Sequence, residues 1–313
     1  MTGGAGFIGS HLAHRLLADG HDVRVLDSFA TGRRENLAVL DGIELVEGDI
    51  RSYERAHNAV RDCEVVLHQA ALPSVPRSIQ DPLTSAAVNT TGTLNVLLAA
   101  RDAGVRRVVY ASSSSVYGAG EELPKREDMP PAPISPYAVS KLAAEAYCRV
   151  FSEVYGLECV ALRYFNVFGP RQDPHSQYAA VIPRFISAVL EGRRPVVFGD
   201  GGHSRDFTFV DNVVEGNLLA LSAPGAVGEV FNVACGERFS LSEVLSVIGE
   251  ITGNEVDPEH LPRRSGDVPH SQADIAKARR LLGYEPSVGF VEGVRATVDH
   301  MVDQRAGGTS GVA

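Results

Sequence analysis

Glycines 3, 6 and 9 stand at the very start of the chain, in Thr2-Gly3-Gly4-Ala5-Gly6-Phe7-Ile8-Gly9, directly before a helix-forming run. At this spacing a backbone can turn tightly, approach a diphosphate closely and seat a helix against a strand. The helix expected over 10–18 then aims the positive end of its dipole at an anion lying on the loop. Gly-rich turns also end ordinary strands, so the loop takes its meaning from the strand that comes after it. This next apolar run, Asp22 to Leu26, ends in Asp27, 18 residues after Gly9. An acid there holds ribose hydroxyls and repels a 2′-phosphate, which favours NAD over NADP. Arg33 and Arg34 follow closely and keep a 2′-phosphate open. A third run, Ile43 to Val46, leads to Gly48-Asp49-Ile50, either a place for Asp49 and Ile50 to meet adenine or a simple strand-end turn.

Strand-like and helix-like runs alternate through residue 165, which predicts a doubly wound parallel α/β sheet. Strands are expected at 22–27, 43–46, 64–68, 106–112 and 158–164, with helices near 10–18, 52–60, 82–103 and 136–155. After Gly169-Pro170-Arg171 the units shorten and Gly and Pro become frequent. The chain therefore divides into a nucleotide-binding domain over 1–165, a smaller α/β lobe over 166–305 interleaved with the last strands, and a flexible tail over 306–313. With 44% hydrophobic and 22% charged residues in 313, the composition is that of an ordinary globular protein with a sizeable core. A net charge of −10 argues against a nucleic-acid partner. No apolar run of 18 residues and no signal peptide is visible, so no membrane association and a cytoplasmic location are expected. Cys63, Cys148, Cys159 and Cys235 lack metal-ligand spacing and read as reduced structural thiols, with no metal site.

The other chemical signal is Tyr137 followed four residues later by Lys141, one of three lysines in the chain. With nine tyrosines and three lysines, chance supplies roughly 0.09 such pairs. Ser135 reads as the N-cap of a helix with Pro136 in its first turn, which puts both side chains on one face. A cation beside a phenol lowers its pKa, and a phenol so tuned can take a proton from a sugar hydroxyl. A buried tyrosine with a solvated lysine one turn on fits the same residues.

The ordered set Thr2-Gly-x-x-Gly-x-x-Gly9, His68-Gln69-Ala70-Ala71, the serine run before Val116-Tyr117-Gly118, Tyr137-x-x-x-Lys141 and Arg163-Tyr164-Phe165-Asn166 resembles the extended short-chain dehydrogenases/reductases. Within them the chain, from residue 2 to about 290, is similar to the UDP-hexose 4-epimerases. The resemblance implies a Rossmann-like fold, NAD as cofactor and a UDP-sugar substrate. It implies that Tyr137, Lys141 and Ser113 are catalytic, with Ser115 the fallback because Ser112 to Ser115 are contiguous. NAD would be held by Gly3, Gly6, Phe7, Ile8, Gly9, Asp27, Asp49, Ile50, Ala70, Ala71, Asn89, Tyr137, Lys141 and Tyr164. Substrate would meet Ser74, Ser115, Asn166, Val181, Ile182, Phe198, Arg205, Arg264, Asp267 and Ser271.

In such enzymes Tyr137 removes the O4 proton while a hydride leaves C4, and the ketone turns over before the hydride returns. A small residue at the position of Ser271 admits an N-acetyl group beside C2, where a tyrosine would restrict the pocket. A uronic acid stays open through Arg77, Arg171, His175 or Arg184. A 4,6-dehydratase would need an acid pair where Ser114 and Ser115 stand, and a non-catalytic NAD-binding regulator would have lost Tyr137 or Lys141. In the family, helices matching 82–103 and 136–155 form a four-helix interface across a two-fold axis, and both are apolar nearly all round here, so the resemblance implies a homodimer. Relatives carry an apolar strand of about five to seven residues before the glycine loop, a usual strand length. Only Met1 precedes it here, so the numbered sequence is expected to start late.

Overall fold

Val65–His68, Arg107–Ser113, Glu158–Tyr164 and Val230–Val233 form four neighbouring parallel strands, and Val23–Asp27 pairs in parallel with Ile43–Glu47. The central strands are mostly apolar along their length, as a parallel sheet covered by helices on both faces requires, while the edge strand Ile43–Glu47 carries Glu44 and Glu47 and is partly exposed. The structure, a computed structural model, describes residues 1–38, 40–174, 176, 180–262 and 268–309. Thr2 stands between the two groups of strands, bridging Leu26 on one side and His68 on the other. Its N–H donates to Leu67 O at 3.0 Å, and its carbonyl accepts from Gln69 N at 3.1 Å. The spatial order is therefore Ile43–Glu47, Val23–Asp27, Thr2, Val65–His68, Arg107–Ser113, Glu158–Tyr164, Val230–Val233.

Each strand expected from the sequence is present within one residue at either end. The helix after the glycine loop begins at Phe7, not Ser10, because extended Gly6 is its N-cap. The helix expected over 82–103 is three joined pieces, Pro82–Ala86, a π-helical turn Ala87–Gly92 and Thr93–Asp102. Gly92 lies against Ile50, where a Cβ would sit 2.7 Å from the isoleucine side chain. Pro136–Tyr155 is a single helix, capped by the Ser135 hydroxyl accepting from Ala138 N at 3.2 Å, with Pro136 at its start as expected.

One face of the sheet packs on Phe7–Ala18 and Val210–Ser222 through Leu12, Leu162, Val213 and Phe231, the other on Thr93–Asp102 and Pro136–Tyr155 through Val96, Leu97, Val108 and Phe151. A separate core of Phe168, Phe185, Phe207, Phe209 and Phe290 holds the lobe, built on Val181–Leu190, Leu241–Thr252 and Phe290–Thr309. The lobe is not a contiguous stretch: Val230–Val233 returns to the edge of the main sheet from inside 166–305. The last helix runs on to Thr309, into the segment expected as a flexible tail.

Candidate active site

The glycine loop is shaped by contacts no side chain would survive. A Cβ on Gly9 would lie 2.1 Å from Gly3 O, and one on Gly3, at φ +69, would lie 2.6 Å from Ala70 N. The loop, the Ala70 backbone and the start of the Phe7–Ala18 helix are thereby brought into van der Waals contact. No side chain caps that helix, so its first N–H groups point outward at the end of the sheet. Asp27 closes the neighbouring strand, 7% exposed, with Oδ2 accepting from Ala5 N at 2.9 Å and Oδ1 from Phe29 N at 2.8 Å. A carboxylate has about four acceptor sites, so two hydrogen bonds leave room for ribose hydroxyls. An uncapped helix start, a glycine cradle and a strand-end acid fit a dinucleotide with a free 2′-hydroxyl. Both nearby arginines are engaged by acids: Arg33 with Asp173 at 2.6 Å and Arg34 with Glu47 at 2.5 Å.

Tyr137 and Lys141 lie on one face of their helix as expected, beside the end of the Arg107–Ser113 strand. The Ser113 side chain lies beside the Tyr137 phenol, and its hydroxyl accepts from Ser115 N at 3.2 Å. Lys141 is 4% exposed; its Nζ donates to Ala111 O at 2.8 Å and stands 5.8 Å from the Tyr137 ring centroid. The expectation that Lys141 depresses the phenol pKa needs correction. Burial raises the Tyr137 pKa, and the neighbouring Ser113 side chain opposes it. Burial also lowers the Lys141 pKa to about 8, with Glu145 acting the other way.

That lowered pKa has a measurable consequence. The folded chain releases the Lys141 proton near pH 8, whereas the unfolded chain holds it to about 10.5. Between those values the unfolded state binds more protons, so stability contributed by this group rises with pH, by up to about 3 kcal/mol in all. Denaturant midpoints at pH 7.5 and pH 10 should move up in the wild type relative to Lys141→Met. Equal shifts in the two proteins would show that Lys141 titrates normally.

Behind the pair lies a buried group that sequence reasoning missed. Glu145 accepts from Arg163 Nε at 2.9 Å and Nη2 at 2.8 Å, and from the Ser112 hydroxyl; both charged side chains are 4% exposed. The ion pair raises the Arg163 pKa. Glu145 stands four residues after Lys141, so the same helical spacing that linked Tyr137 to Lys141 was the available signal. Asn217 was also missed: its Oδ1 receives the Tyr164 hydroxyl at 3.0 Å and Gln69 Nε2 at 3.1 Å. Burial carries the Tyr164 pKa up to about 12, so this phenol stays neutral.

Several expected contacts have other duties here. Asn89, 1% exposed in the π turn, accepts from Leu72 N at 2.7 Å and donates to Leu72 O and Ser140 Oγ, both at 3.1 Å. Ser140 in turn donates to Tyr137 O at 2.7 Å, and Ser78 accepts from Tyr137 N at 3.0 Å, so these side chains fix the start of the tyrosine helix. Ile182 is a core residue, 1% exposed among the lobe phenylalanines, while Val181 and Phe198 keep accessible surface. Asp49 binds Arg51 through both carboxylate oxygens, and Ile50 is 4% exposed beneath the π turn.

The lobe brings Asn166, Arg205 and Ser271 together. Asn166 Nδ2 donates to Asp206 O at 2.9 Å and reaches Ser271 Oγ at 3.3 Å, and Arg205 Nη1 donates to Pro269 O at 3.0 Å. Asn166 at φ 34 and Ser74 at φ 116 hold backbone conformations costly for side-chain-bearing residues, a feature that clusters at ligand sites. Ser115 Oγ is buried with no partner, a hydroxyl available to a ligand. Arg264, Asp267 and His175 lie outside the described residues. Among the described residues no group of His, Cys, Asp and Glu could hold a metal ion, and no helix is long and apolar enough to cross a membrane.

A glycine-cradled dinucleotide site beside a Ser-Tyr-Lys constellation defines an NAD-dependent enzyme of the extended short-chain dehydrogenase/reductase type. The profile of the NAD dependent epimerase/dehydratase family matches residues 1–234, and the chain belongs to that family. It is 44% identical over 304 residues to the UDP-glucose 4-epimerase of Mycolicibacterium smegmatis, covering 96% of each. Among solved structures, the UDP-glucose 4-epimerase of Thermus thermophilus in complex with NAD is similar at TM-score 0.89 and 42% identity, over 96% of this chain and 97% of that one. The UDP-N-acetylglucosamine 4-epimerase of Methanobrevibacter ruminantium, in complex with UDP-N-acetylmuramic acid, is similar at TM-score 0.93 and 38% identity, over 97% of both chains.

Proposed function

We propose that the protein is an NAD-dependent UDP-sugar 4-epimerase acting on UDP-glucose/UDP-galactose and on the N-acetylated pair UDP-GlcNAc/UDP-GalNAc. The observation that carries this is the pairing of the Tyr137 phenol with the Ser113 side chain near the glycine loop, with Lys141 buried one turn further on. When bound, NAD would supply the acceptor that takes hydrogen from the sugar C4 and returns it, and its positively charged ring would add to the Lys141 cation in favouring the phenolate. Tyr137 takes the O4 proton through or beside Ser113, and gives it back when the C4 carbonyl is reduced on its other face. Arg205, with Arg264 in the family position, holds the diphosphate, since guanidinium forks suit phosphate oxygens. The anchored diphosphate lets the sugar turn without leaving. Incubation of UDP-glucose and UDP-GlcNAc, read by proton NMR, should show inversion at C4; a 4-keto-6-deoxy product, or none from either sugar, would refute the proposal.

Breadth toward N-acetyl sugars follows from Ser271. Its small side chain sits opposite Asn166 at 3.3 Å, where an aromatic ring would fill the space. Ser271→Tyr should therefore suppress turnover of UDP-GlcNAc at least about tenfold more than that of UDP-glucose, because a rigid wall discriminates by clash. Equal losses would mean that Ser271 does not line the C2 pocket. A uronate reading has less support, since Arg171 faces His11 Nε2 at 3.3 Å and the Ser10 carbonyl at 3.5 Å.

Assembly is proposed as a homodimer through the tyrosine helix. Val96, Leu97 and Phe151, part of its expected interface, belong to the protein's own core. The exposed stripe on this helix is Val139, Val150 and Val154, and Ile79 and Leu83 are exposed on the two short helices packed against it. Side chains at 139, 150 and 154 share one face of a 3.6-residue helix, and an exposed apolar stripe of this kind is what a two-fold helical interface would cover.

A further inference from the structure

Asp206 lies one residue beyond Arg205 and is fully buried, at 0% exposure. Its Oδ1 accepts from Cys235 N at 3.0 Å, and its Oδ2 accepts from Gly236 N at 3.0 Å and Ala273 N at 3.1 Å. The residue's own N–H donates to Ser271 O at 2.9 Å, while its carbonyl accepts from Asn166 Nδ2 at 2.9 Å. Four stretches that are remote in sequence thus meet on one residue: the turn after Glu158–Tyr164, Ser204–Arg205, the turn after Val230–Val233, and 271–273. Two of these stretches are the ends of main-sheet strands and two belong to the lobe. The three residues assigned to the substrate side, Asn166, Arg205 and Ser271, are each bonded to Asp206 or adjacent to it.

We propose that Asp206 is a positioning residue for the substrate: its carboxylate gathers the backbone of 235–236 and 273 so that Asn166, Arg205 and Ser271 present one rigid wall to the UDP-sugar. The proposal rests on the reading that those three residues face the substrate. A carboxylate suits this place because it is acceptor-only, and all three groups aimed at it are N–H donors. Asparagine has nearly the same shape but turns an NH₂ toward at least one of those donors, so one bond is lost and a donor meets a donor. Tyr137, Ser113 and Lys141 stand on other elements, and the glycine loop and Asp27 lie across the sheet. Loss of the Asp206 acceptor should therefore weaken substrate binding and leave proton transfer and NAD retention alone.

The test compares Asp206→Asn and Asp206→Glu with the wild-type enzyme by steady-state kinetics on the sugar the wild type accepts, by titration with UDP alone, and by the NAD content of the purified protein. The expected result is a KM and a UDP dissociation constant raised about tenfold or more, with kcat within about threefold and NAD content unchanged, since one hydrogen bond to a charged group is worth that much affinity. Asp206→Glu keeps the charge and both acceptor oxygens but moves them by one methylene, so it should fold and show a smaller rise of the same kind. Unchanged KM and UDP affinity in either soluble variant would overturn the proposal. So would kcat, KM and NAD content all failing together, or insolubility of both variants, since each makes Asp206 a residue of the fold at large. Failure of the wild type to bind or turn over any UDP-sugar would instead sink the underlying functional reading.

Discussion

Tyr137→Phe is expected to lower kcat by about 10²–10⁴-fold, the usual cost of removing a positioned general base, while NAD content and UDP binding stay near wild type. The substitution removes one oxygen from a half-buried side chain whose phenol lies beside Ser113. The helix start does not depend on that oxygen. It is fixed by the Tyr137 backbone, through Ser78 and Ser140, and by the Ser135 cap. A phenylalanine therefore leaves the cleft standing and subtracts only the proton acceptor. Stopped turnover with intact binding would assign the chemistry to this phenol. A variant keeping more than about half the wild-type rate would remove Tyr137 from the mechanism, because that loss is far below the range for a general base.

The second large effect concerns stability. Glu145→Ala is expected to destabilise the fold by about 3–5 kcal/mol, since it leaves a buried guanidinium without its counter-ion. Arg163 is 3% exposed and has no route to water, and the Ser112 hydroxyl loses its acceptor in the same stroke. Replacing both partners, Glu145→Met with Arg163→Met, should recover a large part of the loss, because an apolar pair needs no compensation. Urea denaturation of the two single variants and the double variant measures this directly. A double variant as unstable as the sum of the singles would show that the pair is not coupled. The single Glu145 variant should also lose activity, since Glu145 raises the pKa of the nearby Lys141.

Most of what positions the site could be read from the chain alone. The glycine spacing, the strand ending in Asp27 and the capped helix from Pro136 are local signals, and local chemistry produced each of them. What stayed hidden depends on contacts between distant segments. Ser78 and Ser140 look like ordinary helix serines until they meet the backbone of Tyr137. Asp206 reads as part of an Arg-Asp pair until three backbone N–H groups from 235–236 and 273 converge on it. The electrostatics of Tyr137 were misjudged for the same reason. Spacing predicted the neighbouring cation, but it could not predict that burial would set the direction of both pKa shifts. Ile182, which the motif places at the nucleotide, lies at 1% exposure in the lobe core.

In the proposed reaction, hydrogen leaves the sugar C4 and returns to the same carbon without passing through water. The most direct measurement is incubation with UDP-glucose carrying deuterium at C4, in ordinary water, followed by NMR of the product. The account predicts UDP-galactose with the deuterium still at C4, because the transfer goes to a tightly held cofactor and back. A product carrying solvent hydrogen at C4, or label moved to C6 of a 4-keto-6-deoxy sugar, would contradict it.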